Sequence, residues 1–387
     1  MAEKKLIGVV VSPSNPYDRA VIDGVAQFSL ERGQWAFPTV CGVPYLRPEL
    51  VANWRGHGLI GQFDAATISA CRARGIPCVM INTSRERQPV PSVIIDHKAV
   101  GRMAAEHLLS LGLRHFAVIA PRTSEHLFGR IDGFQRRMRI DGFIAQRVSM
   151  GVHLVKGEPT HLDVSDLRKH LGGLSGPTGI FTLHDYTARV VVETCLEMGL
   201  RVPDDVAVIG EGNWKYDCIM VRPTLTSIDI GAERIGYRAA ELLNSLMAGR
   251  AWPRRPLLVP PKCVVARQTT DVLAIDDVEV REAVRFIRSH ESEPIQVSDV
   301  LREVPICRRS LETRFRKSVG RSVHEEIRRS RIAWACRMLI ETDMPVVRIA
   351  RSGAYGGQDR FYVAFKREMK MTPLEYRRTH AGSAAES

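Results

Sequence analysis

The segment GGQDRFYVAFKREMKMTPLEYRR, residues 356–378, combines many basic residues with aromatic side chains at helical spacing. Phe361 and Phe365 are four residues apart, so on a helix they lie on the same face. Such a helix is either an ordinary basic surface helix or one that packs its aromatic face inward and presents its other face to a polyanion.

The positive charge of the chain is concentrated around this segment. The 387-residue chain has a formal net charge of +12, and residues 300–380 contain 19 Lys and Arg against 9 Asp and Glu. A local positive field of this kind is typical of a protein that binds a polyanion such as DNA. A merely solvated basic surface is the alternative, and charge alone does not separate the two.

A helix-turn-helix pattern occurs twice in the C-terminal part of the chain. Leu311 and Phe315 form the inward pair of the second helix in the first copy, and Phe361 and Phe365 recur fifty residues later. A segment at 325–341 is long enough to be the helix that connects the copies. We therefore predict an all-α C-terminal domain with two helix-turn-helix motifs. The second helix of each motif would enter the major groove of DNA with its N-terminus first.

The outward sides of these two helices supply the predicted DNA contacts. Arginine pairs with guanine and glutamine with adenine in the major groove, while basic side chains also bind phosphates. The predicted DNA-binding residues are Arg308, Arg309, Glu312 and Arg316 in the first motif and Gly357, Gln358, Asp359, Arg360 and Lys366 in the second, with Arg367 and Arg377 as further phosphate contacts.

Residues 1–270 follow a different pattern, in which short apolar runs alternate with amphipathic segments. LIGVVV (6–11), PCVMIN (77–82) and VAVIG (206–210) are typical of these runs. Alternation of strands and helices predicts parallel sheets that are covered by helices on both faces. The segment is too long for one sheet of ordinary size, so we predict two α/β lobes.

A proline-rich stretch at 252–277 ends this pattern, and helical periodicity begins at Val278. We place a linker at 271–280, the helical domain at 281–380 and a flexible tail at 381–387.

Polar residues follow several of the predicted strands. Ligands of parallel sheets bind outside the carboxyl ends of the strands. SPSNPYDR (12–19), Asn82, Asp185 and EGNW (211–214) lie at such ends and suit a hydroxylated small molecule. Asp185 is as readily explained as a helix N-cap, and Trp214 as a core residue.

Motifs for catalysis and for cofactors are missing from the sequence. We find no G-x-G-x-x-G after the first strand, no P-loop, no G-x-S-x-G, no paired catalytic carboxylates and no His/Cys spacing for a metal. We therefore predict no cofactor, no metal site and no catalytic residues, although a sugar-processing enzyme stays as an alternative.

Cysteine usage and the N-terminus bear on localisation. Eight scattered cysteines without a C-x-x-C pair are typical of a reducing cytosol. The N-terminal apolar run is too short for a signal peptide or a membrane span. We therefore predict a cytoplasmic protein that has no membrane partner.

Two family resemblances add to these predictions. Residues 296–378 resemble the DNA-binding domain of the AraC/XylS family, down to MTPLEYRR, which matches the family's TPxEYR ending. The resemblance implies a sequence-specific DNA-binding transcription regulator.

Residues 5–268 resemble the two-lobed α/β sensor domain of LacI/GalR regulators, the type I periplasmic-binding-protein fold. RGIPCVMIN, GRIDGFQRRM and VAVIGEGNW carry the likeness. The resemblance implies that Arg130, Asp185 and Asn213 contact a ligand. Gly212 stands where the family commonly has a ligand-contacting Asp, so a strong acceptor for sugar hydroxyls is missing at that position.

The order of the two domains, together with NPYDRAVIDGV (15–25), resembles xylose-responsive regulators. This resemblance implies a D-xylose or related pentose effector, and with the strand-end position it marks Tyr17, Asp18 and Arg19 as ligand-binding residues. It also implies a homodimer. An activator would recruit RNA polymerase, and a repressor that leaves DNA on ligand binding is the alternative.

Overall fold

The computed structural model describes most of the chain. The described residues are 4–33, 35–38, 48–81, 90–122, 128–155, 158–251, 255–272, 275, 277–342, 344–353, 355 and 357–380. They form two compact units, Met1–Val272 and Leu273–Ser387. Asn82, one of the predicted ligand-binding residues, lies outside the described residues.

The first unit is an α/β domain. Its strands are β1 (Ile7–Val10), β2 (Gly58–Gly61), β3 (Cys78–Ile81), β4 (Ser92–Ile95), β5 (His115–Pro121), β6 (Ala145–Val155), β7 (Glu158–Asp163), β8 (Thr178–Thr182), β9 (Val206–Glu211), β10 (Thr226–Asp229), β11 (Leu257–Val259) and β12 (Cys263–Val265). Its helices are α1 (Pro16–Phe28), α2 (Pro48–Asn53), α3 (Ala65–Ala73), α4 (His97–Ser110), α5 (Phe128–Ile140), α6 (Ser165–Gly172), α7 (Asp185–Glu197), α8 (Lys215–Met220) and α9 (Ala232–Met247).

These strands form two sheets, one in each lobe. The first has the order β1-β2-β3-β4-β11 and is parallel throughout. The second has the order β12-β10-β9-β8-β5-β6-β7, with antiparallel pairs only at its two edges. Strands β1 to β4 are buried along their whole length, as expected for parallel strands with helices on both faces.

The chain crosses between the lobes three times. It crosses from β4 into α4, from β10 into α9, and from β11 into β12. Two backbone hydrogen bonds tie the crossings together. The amide of Asp96 donates to the carbonyl of Val259 at 2.9 Å, and the amide of Lys262 donates to the carbonyl of Asp229 at 2.7 Å. Two lobes are therefore joined by a three-stranded hinge, and we call the region between their facing ends the cleft.

The second unit is all helical. Its helices are α10 (Val278–Ser289), α11 (Val297–Glu303), α12 (Arg308–Val319), α13 (Val323–Glu341), α14 (Val346–Ser352), α15 (Gln358–Met369) and α16 (Pro373–His380). α10 begins inside the segment that we assigned to the linker, and Asp277 caps it by accepting a hydrogen bond from the amide of Val280.

Two separate cores hold the two helix-turn-helix motifs. Leu311 and Phe315 of α12 are fully buried in the first core, and Phe361 and Phe365 of α15 are fully buried in the second. Helix α13 contributes its N-terminal half to the first core and its C-terminal half to the second. The aromatic pair of the opening segment is thus the inward face of a recognition helix.

The fifty-residue repeat extends to the helix ends. Ser322 and Glu325 form a reciprocal capping box at the start of α13, and Thr372 and Glu375 repeat it at the start of α16. This conserved geometry within one chain confirms the two-fold recurrence that the sequence predicts.

Some elements differ from the sequence-based expectation. The antiparallel pair β6 and β7 and the short helices α2 and α8 were not expected, because their residues show neither clear alternation nor helical periodicity. The N-cap of α11 is Gln296, whose backbone amide donates to the Asp299 carboxylate at 2.7 Å.

The ends of the two recognition helices differ in strain. Both α12 and α15 end on a residue in the left-handed conformation, Gly320 at φ 78° and Lys370 at φ 60°. Glycine adopts this conformation without steric penalty, whereas an L-residue does not. We expect Lys370→Gly to stabilise the helical unit by about 0.5–1 kcal/mol, measured by calorimetry of the full chain. Gly320→Ala should destabilise the same transition by about 1 kcal/mol, and equal effects of both changes would contradict the assignment.

Candidate functional site

The first lobe contributes the N-terminus of α1 to the cleft. Asn15 caps this helix by accepting a hydrogen bond from the amide of Tyr17 at 2.9 Å. The amide of Ser12 donates to Oδ2 of Asp18 at 2.9 Å. Oδ1 of Asp18 and the hydroxyl of Tyr17 are buried, and neither has a hydrogen-bond partner among the described residues. Burial raises the pKa of Asp18, and the bond from Ser12 opposes that shift.

The third predicted residue of this loop lies at the rim. Arg19 is exposed, and its Nη1 donates to the carbonyl of Pro13 at 3.3 Å. Of the three predicted ligand-binding residues in this segment, Tyr17 and Asp18 are therefore buried and Arg19 is exposed.

A buried ion pair lies on the second lobe. Nη1 of Arg130 contacts Oε2 of Glu211 at 2.7 Å and donates to the carbonyl of Leu183 at 2.9 Å. Arg130 is 3% exposed and Glu211 is 2% exposed. Nε of Arg130 and Oε1 of Glu211 are left without a partner in the part of the chain that the structure describes. Burial raises the pKa of Glu211 to about 7, although Arg130 opposes the shift.

Close helix packing fixes the position of Arg130. A Cβ on Gly101 of α4 would come within 1.9 Å of the Arg130 carbonyl oxygen, and one on Gly133 of α5 within 2.2 Å of the Lys98 carbonyl oxygen. Because glycine has no side chain, α5 can lie directly against α4, and the guanidinium is carried to the cleft on a rigid support.

Groups of both lobes act on the hydroxyl of Tyr17. Its pKa is raised mainly by burial and also by the negative charge of Asp18, while Arg130 lowers it and Glu211 raises it further. Arg130 and Glu211 of the second lobe therefore act electrostatically on a residue of the first lobe. Each of Tyr17, Asp18, Arg130 and Glu211 has a buried atom without a hydrogen-bond partner among the described residues, and we treat the four residues as one candidate site.

Asp185 is also buried, but both of its carboxylate oxygens are engaged. Oδ1 accepts from the Ser227 hydroxyl at 2.5 Å, and Oδ2 accepts from the Trp214 amide at 2.8 Å. His184 occupies the N-cap position of α7, so the helix-cap alternative for Asp185 is wrong. Burial raises the pKa of Asp185 to about 6, and its two hydrogen bonds oppose the shift. Its carboxylate holds the 211–214 loop in place.

The conformation of the 211–214 loop explains why Gly212 stands where the LacI/GalR family commonly has an aspartate. Gly212 has φ 120°, and a Cβ there would lie 2.2 Å from Nε1 of Trp214. An aspartate at this position would clash with the indole, whose residue packs against the sensor core. Oδ1 of Asn213 accepts from Nη2 of Arg267 at 2.9 Å, so this side-chain oxygen is directed to the protein interior.

Glu211 is the site residue that sequence reasoning missed. It ends β9, one residue before the family's usual aspartate, and it supplies a buried carboxylate where Gly212 cannot. The signal was present in the sequence, since Glu211 is the first residue after the apolar run VAVIG at a strand end.

The recognition helices present most of the predicted DNA-binding residues to solvent. Arg308, Arg309 and Arg316 are exposed on α12, and Glu312 is half-buried. Gly357 caps α15 at its N-terminus, and Gln358, Asp359, Arg360 and Lys366 are exposed on that helix. The N-terminal turns of both helices are therefore accessible to a base-pair edge.

Two other arginines of this unit have internal roles. Arg377 was expected to contact phosphate. The structure instead directs its guanidinium to the carbonyls of Leu339 at 3.0 Å, Thr342 at 3.3 Å and Met344 at 2.6 Å, at the end of α13. Arg314 of α12 binds Asp277 through two nitrogens at 2.6 Å, which attaches the first recognition helix to the cap of α10.

Comparison with known proteins assigns both units. Residues 105–270 match the family of periplasmic binding protein-like domains, and residues 301–379 match a helix-turn-helix domain family. The chain is 30% identical over 383 residues to the xylose operon regulatory protein of Escherichia coli K12, with 96% of each chain covered. It is 27% identical over 384 residues to that of Haemophilus influenzae, covering 96% of this chain and 97% of the relative.

A solved structure of the xylose-binding transcription activator xylR superposes on the chain with a TM-score of 0.74 at 26% identity, covering 98% of this chain and 99% of the other. A two-lobed sensor followed by two helix-turn-helix motifs defines a sugar-responsive DNA-binding transcription regulator. Within that class, the chain belongs to the family of xylose operon regulatory proteins. The enzyme alternative is thereby excluded, because these relatives are transcription regulators. Among the helices that the structure describes, none is long and apolar enough to cross a membrane.

The raised pKa of Glu211 predicts a pH-dependent stability of the sensor. Because the folded-state pKa of about 7 lies above the unfolded value, this carboxyl favours folding below about pH 4 and loses that contribution as the pH rises through 7. We expect the difference in unfolding free energy between Glu211→Gln and wild type to shift in favour of the variant by about 1–3 kcal/mol as the pH rises from 5 to 8. Denaturant unfolding at each pH measures this difference. Glu193→Gln, which removes an exposed carboxylate paired with Arg189, is the matched control. A constant difference between wild type and Glu211→Gln across this range would contradict the prediction.

Proposed function

We propose that this chain binds D-xylose or a related pentose in the cleft and acts as a dimeric transcription activator in the cytoplasm. The observation that carries the ligand proposal is the set of unpartnered buried atoms at the lobe interface: the Tyr17 hydroxyl, Asp18 Oδ1, Arg130 Nε and Glu211 Oε1. Sugar hydroxyls donate to carboxylates and accept from guanidinium, so a pentose matches each of these groups.

The same atoms explain why a ligand would act on the lobes. Tyr17 and Asp18 belong to α1 of the first lobe, while Arg130 and Glu211 belong to the second. A ligand that bonds to both sets favours the closed arrangement by its differential affinity for that state. Arg19 at the rim and Asn82, at the end of a first-lobe strand in the sequence, are further proposed contacts, whereas Asp185 and Asn213 support the loop beside the ligand.

Relatives support the identity of the ligand and the sign of regulation. The Escherichia coli and Haemophilus influenzae relatives are named for the xylose operon, and the solved structure is of a xylose-binding activator. We therefore favour D-xylose and activation, with RNA polymerase as the partner at the promoter, over the repressor alternative.

The DNA proposal rests on the accessible N-terminal turns of α12 and α15. Two recognition helices of one chain read successive major grooves roughly 34 Å apart. At equivalent positions, α12 presents Arg308 and Arg309 where α15 presents Gln358 and Asp359. The two half-sites should therefore differ in sequence.

Tyr17→Phe tests the sugar site. The change keeps the buried ring and removes the hydroxyl, so we expect D-xylose affinity to fall by about 1–1.5 kcal/mol, or roughly tenfold, in calorimetric titrations. Tyr237→Phe is the matched control, because its hydroxyl bonds to Glu31 at 2.9 Å away from the cleft. The proposal fails if wild type shows neither a heat of binding nor a thermal shift with D-xylose.

Arg360→Ala tests base recognition. Removal of an arginine that pairs with guanine should weaken specific binding by about 1–3 kcal/mol and relax base choice at one position. The measurement is fluorescence anisotropy with duplexes that the wild-type protein selects from a random pool. Arg136→Ala, an exposed arginine of the sensor, controls for lost charge. A uniform loss on all duplexes would make Arg360 a phosphate contact.

A further inference from the structure

A chain of hydrogen bonds leads away from the ligand cleft through the 211–214 loop. Asp185 accepts from the Ser227 hydroxyl at 2.5 Å, and the same hydroxyl oxygen accepts from the Asn213 amide at 2.9 Å. Asn213 Oδ1 then accepts from Nη2 of Arg267 at 2.9 Å. Arg267 lies just beyond the last strand of the sensor, so the loop that carries Glu211 is bonded to the C-terminal end of the domain.

The chain continues through buried threonines to the last residues of the sensor. The Arg267 amide donates to the Thr226 hydroxyl at 2.7 Å. That oxygen lies 2.9 Å from the Thr270 hydroxyl, which lies 2.8 Å from Nε2 of His107 on α4. The Thr269 hydroxyl donates to the Val208 carbonyl of β9 at 2.7 Å. Segment 267–270 is therefore fixed to β9, β10 and α4 at once.

Very little chain separates this segment from the DNA-binding unit. Val272 packs against the sensor core, and Ile275 is buried in the core of the first helix-turn-helix motif. Only two residues lie between them. Asp277, two residues further on, is held by Arg314 of recognition helix α12. Both ends of the connection are therefore anchored by side chains.

We propose that the hydrogen-bonded series Asp185–Ser227–Asn213–Arg267–Thr226–Thr270, which we call the relay, transmits sugar occupancy of the cleft to segment 271–277 and from there to α12. This inference rests on the proposed function, since the signal it carries is the ligand. The members of the relay are positioning residues: they couple the loop beside the ligand to the connection and need not touch the sugar. The ligand can affect segment 271–277 only if it binds with different affinity to two hydrogen-bonded arrangements of the 211–214 loop.

Two substitutions interrupt the relay at different points. Thr270→Val keeps the approximate volume of a buried residue that is not among the proposed ligand contacts, and it removes the bonds of that residue to Thr226 and His107. Asn213→Gly removes the acceptor for Arg267 and suits the backbone, because Asn213 has φ 55°. Thr194→Val is the matched control, since this buried hydroxyl bonds only to the Val190 carbonyl of its own helix among the contacts of its side chain in the structure.

The readout is hydrogen–deuterium exchange of residues 271–289 in the full chain, with and without D-xylose at a concentration that saturates each variant. Thermal shift reports binding separately. We expect D-xylose to change exchange in this segment in wild type and in Thr194→Val. Thr270→Val and Asn213→Gly should still bind D-xylose at saturation but lose most of that change.

Each other outcome overturns the inference in a distinguishable way. If wild type binds D-xylose without altering exchange at 271–289, the coupling is absent and the sugar proposal stands. If either relay variant keeps the full wild-type change, the relay does not carry the signal. If Thr194→Val loses the change as well, general loosening of the sensor is responsible. If wild type shows no thermal shift, the sugar proposal itself fails and this inference fails with it.

Discussion

The buried Arg130–Glu211 ion pair is the interaction on which the sensor depends. Removing both charges from water carries a penalty that their mutual attraction offsets only when the remaining donors and acceptors are satisfied. Here the Leu183 carbonyl satisfies one nitrogen, while Nε of Arg130 and Oε1 of Glu211 stay unpartnered within the described chain. The pair therefore keeps part of its desolvation penalty in the free protein, and a ligand rich in hydroxyl groups that bonds to these two atoms would reduce that penalty.

Because the pair is held rigidly, the lobes rather than the pair must respond to the ligand. Arg130 is fixed by the direct packing of α5 on α4, and Glu211 ends a central strand of its sheet. The other two residues of the candidate site, Tyr17 and Asp18, belong to α1 of the other lobe. On the proposed function, a ligand that bonds to both lobes would couple its binding to lobe closure, which is the property that a sensor requires.

The sequence allowed most of this architecture to be predicted, and the gaps have physical causes. Strand–helix alternation and the pairs Leu311/Phe315 and Phe361/Phe365 identified both units, because burial on a periodic face leaves a strong local pattern. Arg130 was found by resemblance. Glu211 was missed because the family places its carboxylate one residue later, and only the position of the Trp214 indole shows why Gly212 cannot carry it.

Roles that depend on contacts distant in sequence could not be found in this way. Asp185 was expected at the ligand and Arg377 at a phosphate, since both are charged residues at suitable positions. The partners that they have in the structure, Ser227 for Asp185 and the carbonyls at the end of α13 for Arg377, are 42 and 33–38 residues away. A polar side chain of this kind bonds to whichever group the fold brings closest. When the side chain is buried, loss of that hydrogen bond is unfavourable, because an unpaired group inside the protein costs about 1–3 kcal/mol. The same reasoning applies to the four unpartnered atoms of Tyr17, Asp18, Arg130 and Glu211, because a ligand that bonds to them would remove that cost.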